Sequence, residues 1–268
     1  MAQNRLRELW KKAKPALGCW LSIPDSYCAE MLARLGFDWL CIDMQHGLID
    51  YQRAVPMLQA IATTPAAPVV RVPWNDPGII MKMLDAGACA VIVPMIETPA
   101  DAERAVRACR YPPVGMRSFG PTRALFTVPG DYYANVNEYV CCIPMIETRP
   151  ALDNLDDILS VPGVDAVYIG PMDLSLALGL QPKPDGHQPG YAEARQKVLD
   201  ACRRHKVVAG IHSSAAAGPD RVAEGFRFVL IASDVTALAR GAAMDLASVR
   251  QKVGQGRGGR VRIPRPSS

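Results

Sequence analysis

The stretch Gly36-Phe37-Asp38-Trp39-Leu40-Cys41-Ile42-Asp43-Met44-Gln45-His46-Gly47 decides how the chain is read. Gly36 suits the left-handed turn that closes a helix, because it has no Cβ to clash. Residues 39–42 form a short apolar run with β-forming members, the pattern of a strand covered on both faces. Asp43 and His46 then arrive three residues apart, where the strand runs out. A carboxylate beside an imidazole at the mouth of a buried strand is one way to build an acid/base centre. The same pair would also serve as a helix cap next to a surface histidine, so the rest of the chain has to choose.

Outward from this strand the same unit recurs. Short apolar runs at 18–22, 39–43, 68–72, 90–95, 140–146, 166–169, 207–211 and 226–231 are each followed by a segment of helical character. Those helical segments fall near 27–35, 50–62, 77–86, 99–109, 149–159, 191–205, 215–224 and 234–253. Eight strand-then-helix units in 268 residues predict an α/β fold, a single-domain (β/α)8 TIM barrel over residues 18–253. A doubly wound open sheet is the alternative, but no G-x-G-x-x-G follows the first strand to support its dinucleotide-binding form. The pentapeptide Pro94-Met95-Ile96-Glu97-Thr98 returns as Pro144-Met145-Ile146-Glu147-Thr148, which suggests equivalent strand ends on a pseudo-symmetric sheet. Residues 1–17 read as an N-terminal helical segment and residues 254–268, rich in Gly, Arg, Pro and Ser, as a disordered basic tail. The irregular stretch 111–137, with its polar run Arg117-Ser118-Phe119-Gly120-Pro121-Thr122-Arg123, has the length of a lid or a ligand-contacting loop.

Composition narrows the partners. The net charge is +4, but six basic residues and no acid follow Asp245, so the body before them is near neutral. Nothing there favours nucleic acid or an anionic membrane. The eight cysteines show no C-x-x-C spacing and mostly sit in apolar runs, the usage of reduced thiols rather than a disulfide framework. No apolar run reaches the roughly 18 residues that span a bilayer, and the basic N-terminus lacks a signal-peptide core. A soluble, cytoplasmic protein is expected.

Active sites of such barrels form at the C-terminal ends of the strands. The polar residues predicted there are Asp43 with His46, Arg71, Glu147 and Asp173. Glu147 and Asp173 are hard oxygen donors; two of them, without Cys or paired His, suit Mg²⁺ or a similar divalent ion that keeps positions for water and substrate. A 2-oxo acid would complete such a site, and the ion would acidify the C–H beside its carbonyl. Arg71 would then stabilise the enolate oxygen, and His46, oriented by Asp43, would move protons. The opposing reading makes Glu147 and Asp173 helix N-terminal carboxylates and Arg71 a bridge within the rim. Trp20 reads as core or pocket wall, and His212 as a site or wall residue.

With these residues the chain resembles the HpcH/HpaI aldolase family of metal-dependent (class II) pyruvate aldolases. The resemblance runs from about Gly18 to Ala243. It rests on Gly36-Phe37-Asp38-Trp39 through Asp43 and His46, and on Pro68-Val69-Val70-Arg71 with Trp74-Asn75-Asp76-Pro77. It rests also on Arg110-Tyr111-Pro112-Pro113 with Gly115 and Arg117, on Ile146-Glu147-Thr148-Arg149, and on Ile169-Gly170-Pro171 with Asp173-Leu174-Ser175. It implies Glu147 and Asp173 as ligands of Mg²⁺, Mn²⁺ or Co²⁺, Arg71 as enolate stabiliser, and His46 with Asp43 as an acid/base dyad. It implies a pyruvate carboxylate held by main-chain amides near Gly170 and Met172, with Pro171, Trp20 and His212 in the substrate pocket. It also implies a homo-oligomer, a hexamer built as a trimer of dimers, in which the last helix is exchanged between subunits. Three departures stand out: Gln45 where better-known members carry Glu, Met145 where they carry Gln, and His212 where they carry an apolar residue. The expected activity is reversible cleavage of 4-hydroxy-2-oxo acids to pyruvate and an aldehyde, of the kind met in aromatic compound catabolism. The alternatives are a coenzyme A thioester lyase of the citrate lyase β type, with Arg117 and Arg123 available for phosphate, and a catalytically silent barrel that acts as a binding protein.

Overall fold

Eight short parallel strands pair in sequence order and close on themselves, β8 against β1. The structure is a computed structural model and describes residues 4–128, 130–183 and 188–253. The first part runs α1 (Arg5–Lys11), β1 (Ala16–Leu21), α2 (Ser26–Ala33), β2 (Trp39–Asp43) and α3 (Tyr51–Ile61). It continues through β3 (Ala67–Arg71), α4 (Pro77–Asp85), β4 (Ala90–Val93) and α5 (Pro99–Cys109). After a 3₁₀ turn at Ala124–Phe126 come α6 (Tyr132–Tyr139), β5 (Cys141–Ile146), α7 (Arg149–Asp153) and α8 (Leu155–Ser160). The last part is β6 (Ala166–Ile169), α9 (Pro171–Ala177), α10 (Pro189–His205), β7 (Val208–Ile211), α11 (Gly218–Glu224), β8 (Phe228–Ser233) and α12 (Asp234–Lys252).

Local chemistry starts several of these helices. Asp25, Asp50 and Asp76 each accept a main-chain N–H from the first turn of the helix they precede. Thr98 and Asp101 form a reciprocal capping box ahead of α5. Gly36 closes the turn before β2 with a φ of +92°, as its place in the sequence predicts.

The core has two parts. One lies between sheet and helices; the other fills the barrel itself. Inside, Trp39 stacks on Phe228 at 4.0 Å between ring centroids and donates its indole N–H to the Ala16 carbonyl. Trp39 occupies the space where a Cβ on Gly18 would sit, 2.0 Å from its Cε2. Gly18→Ala should therefore destabilise the fold by about 1–3 kcal/mol through overpacking, read as a lower urea midpoint with an unchanged slope. At the opposite end from the site, Asn4 donates to the carbonyls of Cys89 and Tyr139, and Leu6 of α1 is buried in the interior cluster.

Several boundaries differ from the sequence reading. β8 lies two residues later than predicted, because Ser233 still pairs with Trp20 and then caps α12. β4 stops at Val93 instead of continuing to Met95, since Met95 takes a left-handed backbone with φ of +55°. The helix predicted over 149–159 is broken at Asn154. Stretch 111–137 contains the 3₁₀ turn and much of α6. Within 170–188, read as loop, Pro171 opens the short helix α9. The basic tail, residues 254–268, lies outside the described residues. Among the described residues no helix is long and apolar enough to cross a membrane.

Candidate active site

Alternation along the strands aims the polar residues into the C-terminal mouth of the barrel. Asp43 and Arg71 are the last residues of β2 and β3 and are direct partners in the parallel register. Both side chains are fully buried and form a two-point ion pair: Arg71 Nε to Asp43 Oδ1 at 2.8 Å, and Nη2 to Oδ2 at 2.7 Å. Burial opposes both charges, but the pairing outweighs it. Arg71 holds the Asp43 carboxyl below its ordinary range, and Asp43 raises Arg71 in return. The Arg71 guanidinium lies over the Trp20 ring, 4.9 Å from its centroid.

This geometry corrects the expected Asp43–His46 contact. Asp43 Oδ1 accepts the main-chain N–H groups of Gln45 and His46, at 3.0 and 3.3 Å, and not the imidazole. His46 is exposed on the loop after β2. Asp43 thus fixes the path of that loop and the fork of Arg71, while the imidazole stands free of the carboxylate. The parallel register sets Asp43 directly beside Arg71, and a carboxylate facing a guanidinium in a dry site is the stronger pair.

Glu147 follows β5, one step beyond the pair Ile146 and Ile169 in the register with β6. It is buried, and its Oε1 accepts the main-chain N–H of Met95 at 2.9 Å. Its Oε2 faces Gly170, where an added Cβ would come within 2.7 Å. Burial pushes the Glu147 carboxyl up to about 7, with Asp173 adding to the rise and the Met95 N–H opposing it. Asp173 sits in the first turn of α9, whose start no side chain caps. No group of three or more His, Cys, Asp or Glu converges among the described residues, so the pair supplies two oxygen-bearing side chains and leaves positions for water and substrate. A buried carboxylate beside a second one, offset by one main-chain N–H and the charge of Arg71 and still raised, fits a divalent cation. Met95, which the sequence reading missed, contributes a main-chain N–H from a left-handed backbone, with φ of +55°.

Trp20, Tyr168 and His212 complete the inner wall. Trp20 stacks on Tyr168 at 5.7 Å, and the His212 ring meets Trp20 edge-on at 5.3 Å. Tyr168 is a second residue the sequence reading passed over; its inward parity two positions before Gly170 would have found it. His212 is buried, and burial, aided by the nearby Arg71 charge, lowers its pKa to about 3. The native imidazole stays neutral down to that value, whereas the unfolded one takes a proton below its ordinary 6.5. Unfolding therefore takes up protons in this window, and stability falls as pH drops through it. Between pH 7 and 5 the wild type should lose about 2 kcal/mol more stability than His212→Phe, read from urea midpoints at the two pH values.

Met145 is fully buried against Gly170, and Gln45 keeps a buried Oε1 without a hydrogen-bond partner. Arg117 is buried, bonded to Asp85 at 2.6 Å and to the Tyr132 hydroxyl at 3.1 Å. Arg123 donates to the carbonyls of Ala86 and Leu58.

Comparison with known proteins gives the family. The family model for HpcH/HpaI aldolase/citrate lyase matches residues 16–241. The chain is 43% identical over 251 residues to a hydroxypyruvate/pyruvate aldolase of Rhizorhabdus wittichii, covering 92% of this chain and 99% of that one. It is 40% identical over 245 residues to a 4-hydroxy-2-oxo-heptane-1,7-dioate aldolase of Salmonella dublin, covering 90% and 92%. A solved HpcH/HpaI aldolase/citrate lyase family protein of Burkholderia cenocepacia superposes with a TM-score of 0.86 at 36% identity, covering 92% of this chain and all of that one. The chain belongs to the HpcH/HpaI aldolase/citrate lyase family. It is a carbon–carbon lyase of the aldolase type.

Proposed function

We propose that the chain reversibly cleaves 4-hydroxy-2-oxo acids to pyruvate and an aldehyde, with Glu147 and Asp173 holding Mg²⁺, Mn²⁺ or Co²⁺. The observation that carries this reading is the buried, under-compensated Glu147 carboxylate beside Asp173, facing the bare Cα of Gly170. The names of the Rhizorhabdus and Salmonella relatives support the substrate class. When bound, the cation would polarise the 2-oxo carbonyl and make the adjacent C–H acidic.

The remaining steps belong to the chain's own residues. Main-chain amides near Gly170 and Met172, on either side of Pro171, hold the substrate carboxylate at the uncapped start of α9. Arg71, its fork fixed by Asp43 and its face by Trp20, stabilises the negative charge that grows on the C2 oxygen. His46, on the loop that Asp43 braces, takes the 4-hydroxyl proton as the C3–C4 bond breaks to release the aldehyde, directly or through water, and returns a proton to C3 of the enolate. Purified protein with Mn²⁺ should release pyruvate from members of a panel of 4-hydroxy-2-oxo acids with different tails. Release from none of them would contradict this function.

The same reading includes a homo-oligomer, a hexamer with α12 exchanged between subunits. Along α12 only Asp234 is buried, while Leu238, Met244, Leu246 and Val249 are exposed. Light scattering should give a mass of several subunits, and Leu238→Glu with Val249→Glu should reduce it. A monomeric wild type would contradict this assembly.

A further inference from the structure

The inner wall carries polar atoms that the reaction steps above leave unused. The Nδ1 and Nε2 of His212 and the Oη of Tyr168 are buried without a hydrogen-bond partner, while Trp20 interacts with the Asp43 carboxylate. The three rings touch one another, with centroids 5.3 Å apart for Trp20 and His212 and 6.4 Å for Tyr168 and His212. On β7, Gly210 points inward and leaves room for Tyr168; a Cβ there would meet its Cδ2 at 3.0 Å. His212, two residues on, has the same parity and lies one layer closer to the mouth, edge-on to the Trp20 ring that the Arg71 guanidinium also meets.

A neutral imidazole offers one donor and one acceptor. A hydroxyl matches it, because it too can give one hydrogen bond and take one. A cationic group would face Arg71, and an anionic one finds no charge on His212. The carboxylate and the 2-oxo group of the substrate already have partners in the proposed site.

We infer that His212 receives a hydroxyl group of the substrate beside the reacting carbons, which makes the site selective for hydroxylated donors or acceptors over their unsubstituted counterparts. This rests on the aldolase reading above. The hydroxyl would stand either on the three-carbon 2-oxo acid or on the aldehyde, and the two sources separate by experiment.

With Mn²⁺ present, kcat/KM is measured for hydroxypyruvate against pyruvate with one common aldehyde, and for glycolaldehyde against acetaldehyde with pyruvate. His212→Phe should lower one of these two ratios about tenfold, the loss of one neutral hydrogen bond. A fall in the first ratio places the hydroxyl on the donor, and a fall in the second places it on the acceptor. His212→Leu repeats the test with a smaller apolar side chain, should the Phe variant not fold. His212→Asn, which keeps a donor and an acceptor, should restore most of the ratio. Both ratios unchanged in a folded apolar variant would overturn the inference alone. A wild type that turns over neither pyruvate nor hydroxypyruvate would overturn the aldolase reading and this inference with it.

Discussion

Glu147→Gln is expected to abolish divalent-cation binding and to lower aldol cleavage by about a thousandfold or more, since the cation is asked to supply several kcal/mol of charge stabilisation. The substitution keeps the side chain's size and its contact with the Met95 N–H, so the fold should persist. It should even gain stability near neutral pH. Burial raises the Glu147 carboxyl to about 7. The native state thus resists ionisation above the ordinary value of 4.5, and stability without the cation falls as pH rises from there to about 7. Titration calorimetry with Mn²⁺, beside urea unfolding of both proteins at pH 7.5, checks the two statements together. A variant that binds Mn²⁺ as the wild type does would remove Glu147 from the cation site.

Arg71→Met should be the most damaging single change, because it acts on fold and chemistry at once. It leaves the fully buried Asp43 carboxylate without its partner. Stranding one member of a buried ion pair costs about 3–5 kcal/mol. It also removes the group placed to stabilise the C2 oxygen. The double substitution Asp43→Leu with Arg71→Met separates the effects. An apolar pair of similar volume should return most of the lost stability and none of the lost cleavage. Recovery of cleavage in the double variant would show that Arg71 matters for folding alone.

The sequence made the barrel readable because each strand is a short apolar run and each is followed by its own helical segment. The rule that sites form at strand C-termini then pointed to Arg71 on β3 and Glu147 after β5. That rule does not show which polar neighbours choose each other. The pairing of Asp43 with Arg71 depends on the β2–β3 register, and that register decided against the imidazole of His46. Met95 was hidden for a similar reason. Its contribution is a main-chain N–H turned by a left-handed backbone, and no side-chain pattern announces that. Helix α9 escaped because seven residues opened by Pro171 give too little periodicity to stand out. His212 was visible as a residue, but its lack of any hydrogen-bond partner emerges only when Trp20, Tyr168 and Arg71 close around it.

The central claim is that a cation held by Glu147 and Asp173 makes the C3 protons of pyruvate acidic. Exchange of those protons with deuterated water, followed by NMR on protein stripped with a chelator, tests it most directly. The stripped protein should show no exchange above background, and Mn²⁺, Mg²⁺ or Co²⁺ should restore it. Exchange that continues undiminished after chelation would contradict the claim.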